Sequence, residues 1–102
     1  GLSCFAGTGL DALLRQQGVR KVALCGFLAN TCVEASMREA YGMGYDVITL
    51  VDCCGATSAS ALASAIQLTY AHFSRPLTAS QFLASLDEEV RQKTAWRTDG
   101  TP

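Results

Sequence analysis

The stretch Gly26-Phe27-Leu28-Ala29-Asn30-Thr31-Cys32-Val33-Glu34 decides the fold, because it places a cysteine where a strand hands over to a helix. Ahead of it, Val22-Ala23-Leu24-Cys25 is a continuous apolar run that ends at Gly26. A run without polar alternation predicts a strand covered on both faces, as in parallel sheets, and makes Cys25 a core residue. Behind it, Val33, Ser36, Met37, Ala40 and Tyr41 recur on one helical face, Glu34 and Arg38 pair outward at i,i+4, and Gly42 and Gly44 close the helix. The first turn of a helix offers unpaired N–H groups and the positive end of its dipole, and both favour a thiolate. Cys32 is therefore a candidate nucleophile. Its alternative role is that of a small apolar residue packed at a helix start.

Working outward toward the N-terminus, Leu10, Leu13 and Leu14 share one face of a short helix between Gly9 and Gly18, with Gly18 placed as its C-terminal cap. Toward the C-terminus, Val47-Ile48-Thr49-Leu50-Val51 reads as a second strand, and Asp52 stands at its carboxyl end, where ligands collect in open α/β sheets. Thr57 or Ser58 caps a third helix whose inner face is Leu62, Ala65, Ile66, Thr69 and Phe73. Ser74-Arg75-Pro76-Leu77 reads as a turn or a short edge strand, since Pro76 has no N–H for a ladder. The last helix starts near Thr78 or Ser80 with Phe82, Leu83, Leu86 and Val90 inward, and a polar tail, 94–102, is expected to be mobile despite Trp96. This alternation predicts one α/β domain over 1–93: a three-layer, Rossmann-like parallel sheet of about three strands with flanking helices and right-handed crossovers.

Composition narrows the function. The 102 residues are 49% hydrophobic with a net charge of −1, enough for one modest core. The scattered Lys and Arg residues form no basic patch, which argues against nucleic acid or a membrane surface as partner. With no apolar run long enough to span a bilayer and no signal-peptide pattern, a soluble cytoplasmic protein is expected. Five cysteines without C-x-x-C spacing read as reduced thiols, and with one histidine, His72, the chain carries no metal-site signature. No metal and no cofactor are therefore expected. Adjacent Cys53 and Cys54 do not suit a disulfide, so one should point inward and the other toward the site. His72, near a helix end, reads as a group that favours the dipole there rather than as a catalytic base.

Several segments then fall into a familiar order: Ser3-x-Phe5-x-Gly7-Thr8-x-Leu10, the strand to Gly26, Asn30-Thr31-Cys32-Val33, Met37-Arg38-x-Ala40, Gly44-Tyr45 and Asp52-Cys53-Cys54-Gly55-Ala56-Thr57. Through them the chain resembles, from Ser3 to about Leu86, the C-terminal part of an isochorismatase-like cysteine hydrolase. The resemblance implies hydrolysis of a small amide, carbamoyl or ureido metabolite through a thioester at Cys32. It also implies a cis peptide at Phe27-Leu28 and an oxyanion hole made by the N–H groups of Leu28 and Cys32. Phe27, Ala29, Asn30, Asp52 and Cys54 would border the crevice, Asp52 mainly as a structural hydrogen-bonding group. Family members add an Asp on a first strand and a Lys just ahead of the Ser-x-Phe motif. This chain starts at Gly1, directly before that motif, so a truncated homologue is expected. The alternative is a non-catalytic homologue acting as a self-associating or binding module. With no neighbour for the strand 22–26, a homodimer or larger homo-oligomer is expected to bury that edge, through an interface above about 1,000 Å².

Overall fold

The computed structural model describes residues 2–98, with side chains described through residue 92. Helix α1 (Leu10–Gln16) precedes strand β1 (Lys21–Phe27), helix α2 (Cys32–Gly42) and strand β2 (Asp46–Gly55). A continuous helical segment follows, made of α3 (Ala59–Ala65), one π-helical turn (Ile66–Tyr70) and α4 (Ala71–Phe73). Strand β3 (Arg75–Leu77) and helix α5 (Ala79–Thr98) complete the order. The strands form one parallel sheet in the order β1-β2-β3. This is the three-layer α/β architecture expected from the sequence.

Two glycines deliver helices into strands in the same way. At the end of α1 the Gly18 N–H reaches the Arg15 carbonyl at 3.0 Å and the Val19 N–H reaches Leu14 at 2.9 Å, with Gly18 at φ +73°. At the end of α2 the Gly44 N–H reaches Tyr41 at 3.1 Å and the Tyr45 N–H reaches Ala40 at 3.1 Å, with Gly44 at φ +91°. Both are Schellman caps, whose left-handed residue glycine adopts without a Cβ penalty. The exits leave Lys21 opposite Asp46, which starts the register of β1 on β2.

Strand β2 is the centre of the molecule. Val47, Ile48 and Thr49 are buried in succession, because α2 covers one face and α5 the other. Val33, Met37 and Ala40 of α2 join Val47, Tyr45, Ala65, Tyr70 and Phe5 in the core. The buried Thr49 hydroxyl donates to Ser74 Oγ at 2.8 Å, which in turn donates to the Tyr70 carbonyl at 2.9 Å, so no polar atom of this contact is orphaned.

Several sequence expectations change at the periphery. Tyr41 is 55% exposed rather than core, since it stacks edge-on against Phe73, ring centroids 5.4 Å apart, at the rim of α2. Leu13 is exposed because the short α1 touches the core only through Leu10 and Leu14. Leu83 and Val90 are exposed as well, leaving Phe82 and Leu86 as the half-buried contacts of α5. Strand β1 is covered on one face only: Val22 and Leu24 pack on the core, whereas Ala23 and Cys25 face outward. Cys25 is thus not a core residue. Helix α5 lies over β2 and β3 and meets β1 mainly through the Lys21–Glu89 ion pair, so it leaves Cys25 bare. Helix α5 also continues past the expected start of the tail, through Thr98; residues 99–102 and the Trp96 side chain lie outside the described residues.

Candidate active site

The turn after β1 is built around one carbonyl. Gly26 takes φ +120°, a conformation reserved for glycine, and the Phe27-Leu28 peptide is cis, as the family resemblance implied. The Leu28 carbonyl then accepts the N–H groups of Thr31 at 3.1 Å and Val33 at 3.2 Å, which folds the chain back into α2. Ala29, fully buried, anchors the turn from both sides. Its N–H donates to the Gly55 carbonyl at 2.7 Å, and its carbonyl accepts the Tyr70 hydroxyl. The N–H groups of Leu28 and Cys32 are not among these turn bonds.

The result is an open crevice of about 440 Å³ between the N-terminal segment, β1 and the first turn of α2. Cys32, half-buried at the first position of α2, lines it together with Cys4, Cys25, Phe27, Val33 and Ser36. The sequence-derived site therefore divides. Cys32 and Phe27 face the crevice, Phe27 at 78% exposure, while Leu28 and Ala29 form the turn beneath it. Asn30 is exposed on the turn outside the lining.

Asp52 and Cys54 lie on β2, outside the crevice lining. β2 runs on to Gly55, so Asp52 lies within the strand, and its carboxylate accepts the Ala79 N–H at 2.9 Å, capping α5. That is the structural role the resemblance implied for it. The Cys54 thiol donates to the Leu50 carbonyl at 3.2 Å, and burial pushes its pKa up. Cys53 is exposed, and desolvation, then the neighbouring Asp52 carboxylate, push its thiol up too. Neither is among the crevice-lining residues, although Cys54 pairs in register with Gly26, which is. His72 borders a separate cleft with Tyr41, Phe73 and Arg75, where β2 and β3 begin. Among the described residues the crevice carries no carboxylate, imidazole or ammonium group, and no cluster of three or more His, Cys, Asp or Glu is placed to hold a metal.

Two contributors escaped the sequence reading. Tyr70 is fully buried and holds Ala29, but an ordinary α-helical period puts Thr69 on the inner face instead. The four-residue spacing of Leu62, Ile66 and Tyr70 was the available signal. Ser36 was placed correctly on the inner face of α2, yet its use as acceptor for the Cys4 N–H at 2.9 Å has no sequence signature.

A parallel α/β unit that presents a cysteine at the carboxyl end of a strand and the start of a helix is a recognisable class, and comparison with known proteins specifies it. A family model described as the Isochorismatase domain matches residues 1–81. The uncharacterized isochorismatase family protein YecD of Escherichia coli O157:H7 is 32% identical over 82 residues, covering 80% of this chain and 44% of that protein. The ureidoacrylate amidohydrolase RutB of Acinetobacter baylyi is 36% identical over 52 residues, 51% of this chain and 21% of RutB. The crystal structure of an isochorismatase-like hydrolase from Alkaliphilus metalliredigens superposes with a TM-score of 0.81 at 28% identity, covering 84% of this chain and 48% of that one. The chain belongs to the isochorismatase family of hydrolases. It spans less than half the length of the curated relatives named here. Among the described residues no helix is long and apolar enough to cross a membrane.

Proposed function

We propose that this chain carries the nucleophile-bearing part of a cysteine hydrolase that cleaves a small amide, carbamoyl or ureido metabolite. The observation that carries the reading is the position of Cys32, at the first residue of α2 and on the wall of an open crevice. Its thiolate would add to the substrate carbonyl, with the developing oxyanion directed at the N–H groups of Leu28 and Cys32. Collapse of the adduct expels ammonia or an amine and leaves a thioester, which water then cleaves. Proton transfer needs an acid and a base beyond the crevice residues described, and such groups typically contribute about 10² to 10⁴-fold each. The similarity to RutB, whose name specifies a ureidoacrylate substrate, supports the ureido class.

The test is intact-mass analysis after incubation with small amides, carbamoyl compounds and ureido acids. An acyl adduct on the wild-type chain that is absent from Cys32→Ala supports the reading; adducts that persist in Cys32→Ala overturn it.

A second reading, a self-associating module, draws on the exposed edge strand. Ala23, Cys25 and Phe27 of β1 face outward at the end of the sheet, and a free strand edge is a template for pairing with a second copy. The two readings are compatible, because a two-fold pair along β1 would also wall in the crevice.

A further inference from the structure

Three of the five thiols, Cys4, Cys25 and Cys32, line the one crevice, and they arrive there from three different parts of the fold. Their surroundings separate them. Cys25 stands on β1, whose neighbour in the sheet is β2. Cys4 is tied to α2 instead. Its N–H donates to Ser36 Oγ at 2.9 Å, and Ser36 follows Cys32 by one helical turn on the same face. Side chains on a helix lean back toward its N-terminus, and four residues rise only about 6 Å, so the Ser36 hydroxyl overhangs the turn that begins at Cys32. Cys4 and Cys32 thus border the same α2 side of the crevice. A disulfide asks for Cα atoms roughly 4.4 to 6.8 Å apart, and the segment 2–9 that carries Cys4 has no helix or strand to hold it away from α2.

From this arrangement we propose that Cys4 is the resolving thiol for Cys32, making the pair a reversible oxidation site inside the crevice. The inference rests on the reading of Cys32 as the reactive thiolate. With hydrogen peroxide as oxidant, the Cys32 sulfur attacks one peroxide oxygen, an S–O bond forms, the O–O bond breaks, and hydroxide leaves and is protonated to water. Cys32 becomes a sulfenic acid as the peroxide is reduced. The Cys4 thiolate then attacks the Cys32 sulfur: an S–S bond forms, the S–O bond breaks, and the departing hydroxide takes up the proton lost by Cys4. Two thiols and one peroxide give one disulfide and two waters. The product ties the N-terminal segment to the start of α2, removes the nucleophile from use and shields it from irreversible sulfinic acid. A small-molecule dithiol reverses it.

The experiment exposes the full chain to a few equivalents of hydrogen peroxide, with and without dimedone as a sulfenic acid trap, followed by non-reducing peptide mapping. Trypsin leaves Cys4 in fragment 1–15, while Cys25 and Cys32 share fragment 22–38, so fragmentation in the mass spectrometer, repeated on Cys25→Ser, assigns the linkage. The expected result is a cross-link between Cys4 and Cys32 with loss of two hydrogens, full return to free thiols with dithiothreitol, and a shift to dimedone adduct and sulfinic acid at Cys32 in Cys4→Ser. Oxidation of wild-type Cys32 to sulfinic acid with Cys4 still free, or a Cys25–Cys32 linkage, overturns the proposal while leaving Cys32 as the reactive thiol. A Cys32 that reacts with neither peroxide nor iodoacetamide overturns both this inference and the nucleophile reading.

Discussion

Replacing Tyr70 by Phe tests whether the turn under Cys32 is held by a single side-chain hydroxyl. The ring stays, so no cavity opens and its place in the core cluster is kept. What is lost is the hydrogen bond to the Ala29 carbonyl, in a place where both residues are wholly buried. An acceptor left unsatisfied there costs about 1–3 kcal/mol. For a domain of this size each 1 kcal/mol lowers the melting temperature by roughly 4–8 °C, so the variant should melt at least about 4 °C lower. The slope of urea unfolding should not change, because the same surface is exposed. Circular dichroism during heating and urea titration measures both. A second arm uses pH. Burial pushes the Tyr70 phenol well above its ordinary value, so folding favours its neutral form. That contribution is fully present below the unfolded-state pKa of about 10 and is lost as pH rises through the folded value. Wild-type stability should therefore fall more steeply than that of Tyr70→Phe in strong alkali. An unchanged melting temperature together with superimposable alkaline profiles would refute the idea that Tyr70 fixes the turn.

Iodoacetamide labelling at neutral pH should modify Cys32 faster than Cys53 or Cys54, the last being slowest because it is half-buried with its pKa pushed up by desolvation; peptide mapping over time reads the order. Asp52→Ala should destabilise the chain by about 0.5–2 kcal/mol through loss of the cap on α5, with no change in the Cys32 labelling rate; denaturant midpoints and labelling kinetics check the two halves separately. This chain by itself should release little or no ammonia from small amides or ureido acids, since the described crevice lacks proton-transfer groups; robust turnover abolished by Cys32→Ala would show that such a group lies within the chain after all. Sedimentation at micromolar concentration should find a dimer or larger species for the wild type and a monomer for Ala23→Lys, a charge placed on the open edge of β1; a wild-type monomer defeats the edge-pairing reading.

The parts of the fold that sequence made legible are those with local causes. Gly18 and Gly44 announce helix ends because an αL cap needs glycine, and the apolar runs at 22–25 and 47–51 announce parallel strands. The turn ahead of Cys32 was legible for the same reason, through Gly26 and the helix that starts at Cys32. Features decided at a distance were not. Strand β2 continues through Asp52, Cys53 and Cys54 because the register shift between Leu24 and Gly26 lets Cys54 pair with Gly26. Asp52 is thereby drawn to α5 rather than to the crevice. Cys25 reads as core in an apolar run, but burial depends on what lies over the strand, and a run of residues does not say which of its faces is covered.

The π turn at Ile66–Tyr70 has a consequence for which changes of length this protein tolerates. Such a turn amounts to one residue inserted into an α-helix, and each residue advances the helix by about 100°. Deleting one residue from 66 to 69 would therefore restore a regular helix and leave Tyr70 facing Ala29 and Ser74 facing Thr49, whereas inserting a further residue would swing both by that angle and break their hydrogen bonds. The loops elsewhere can gain or lose a codon at small cost. This helix can lose one residue but not gain another, because the π turn has already absorbed one extra residue while keeping Tyr70 against the turn beneath Cys32.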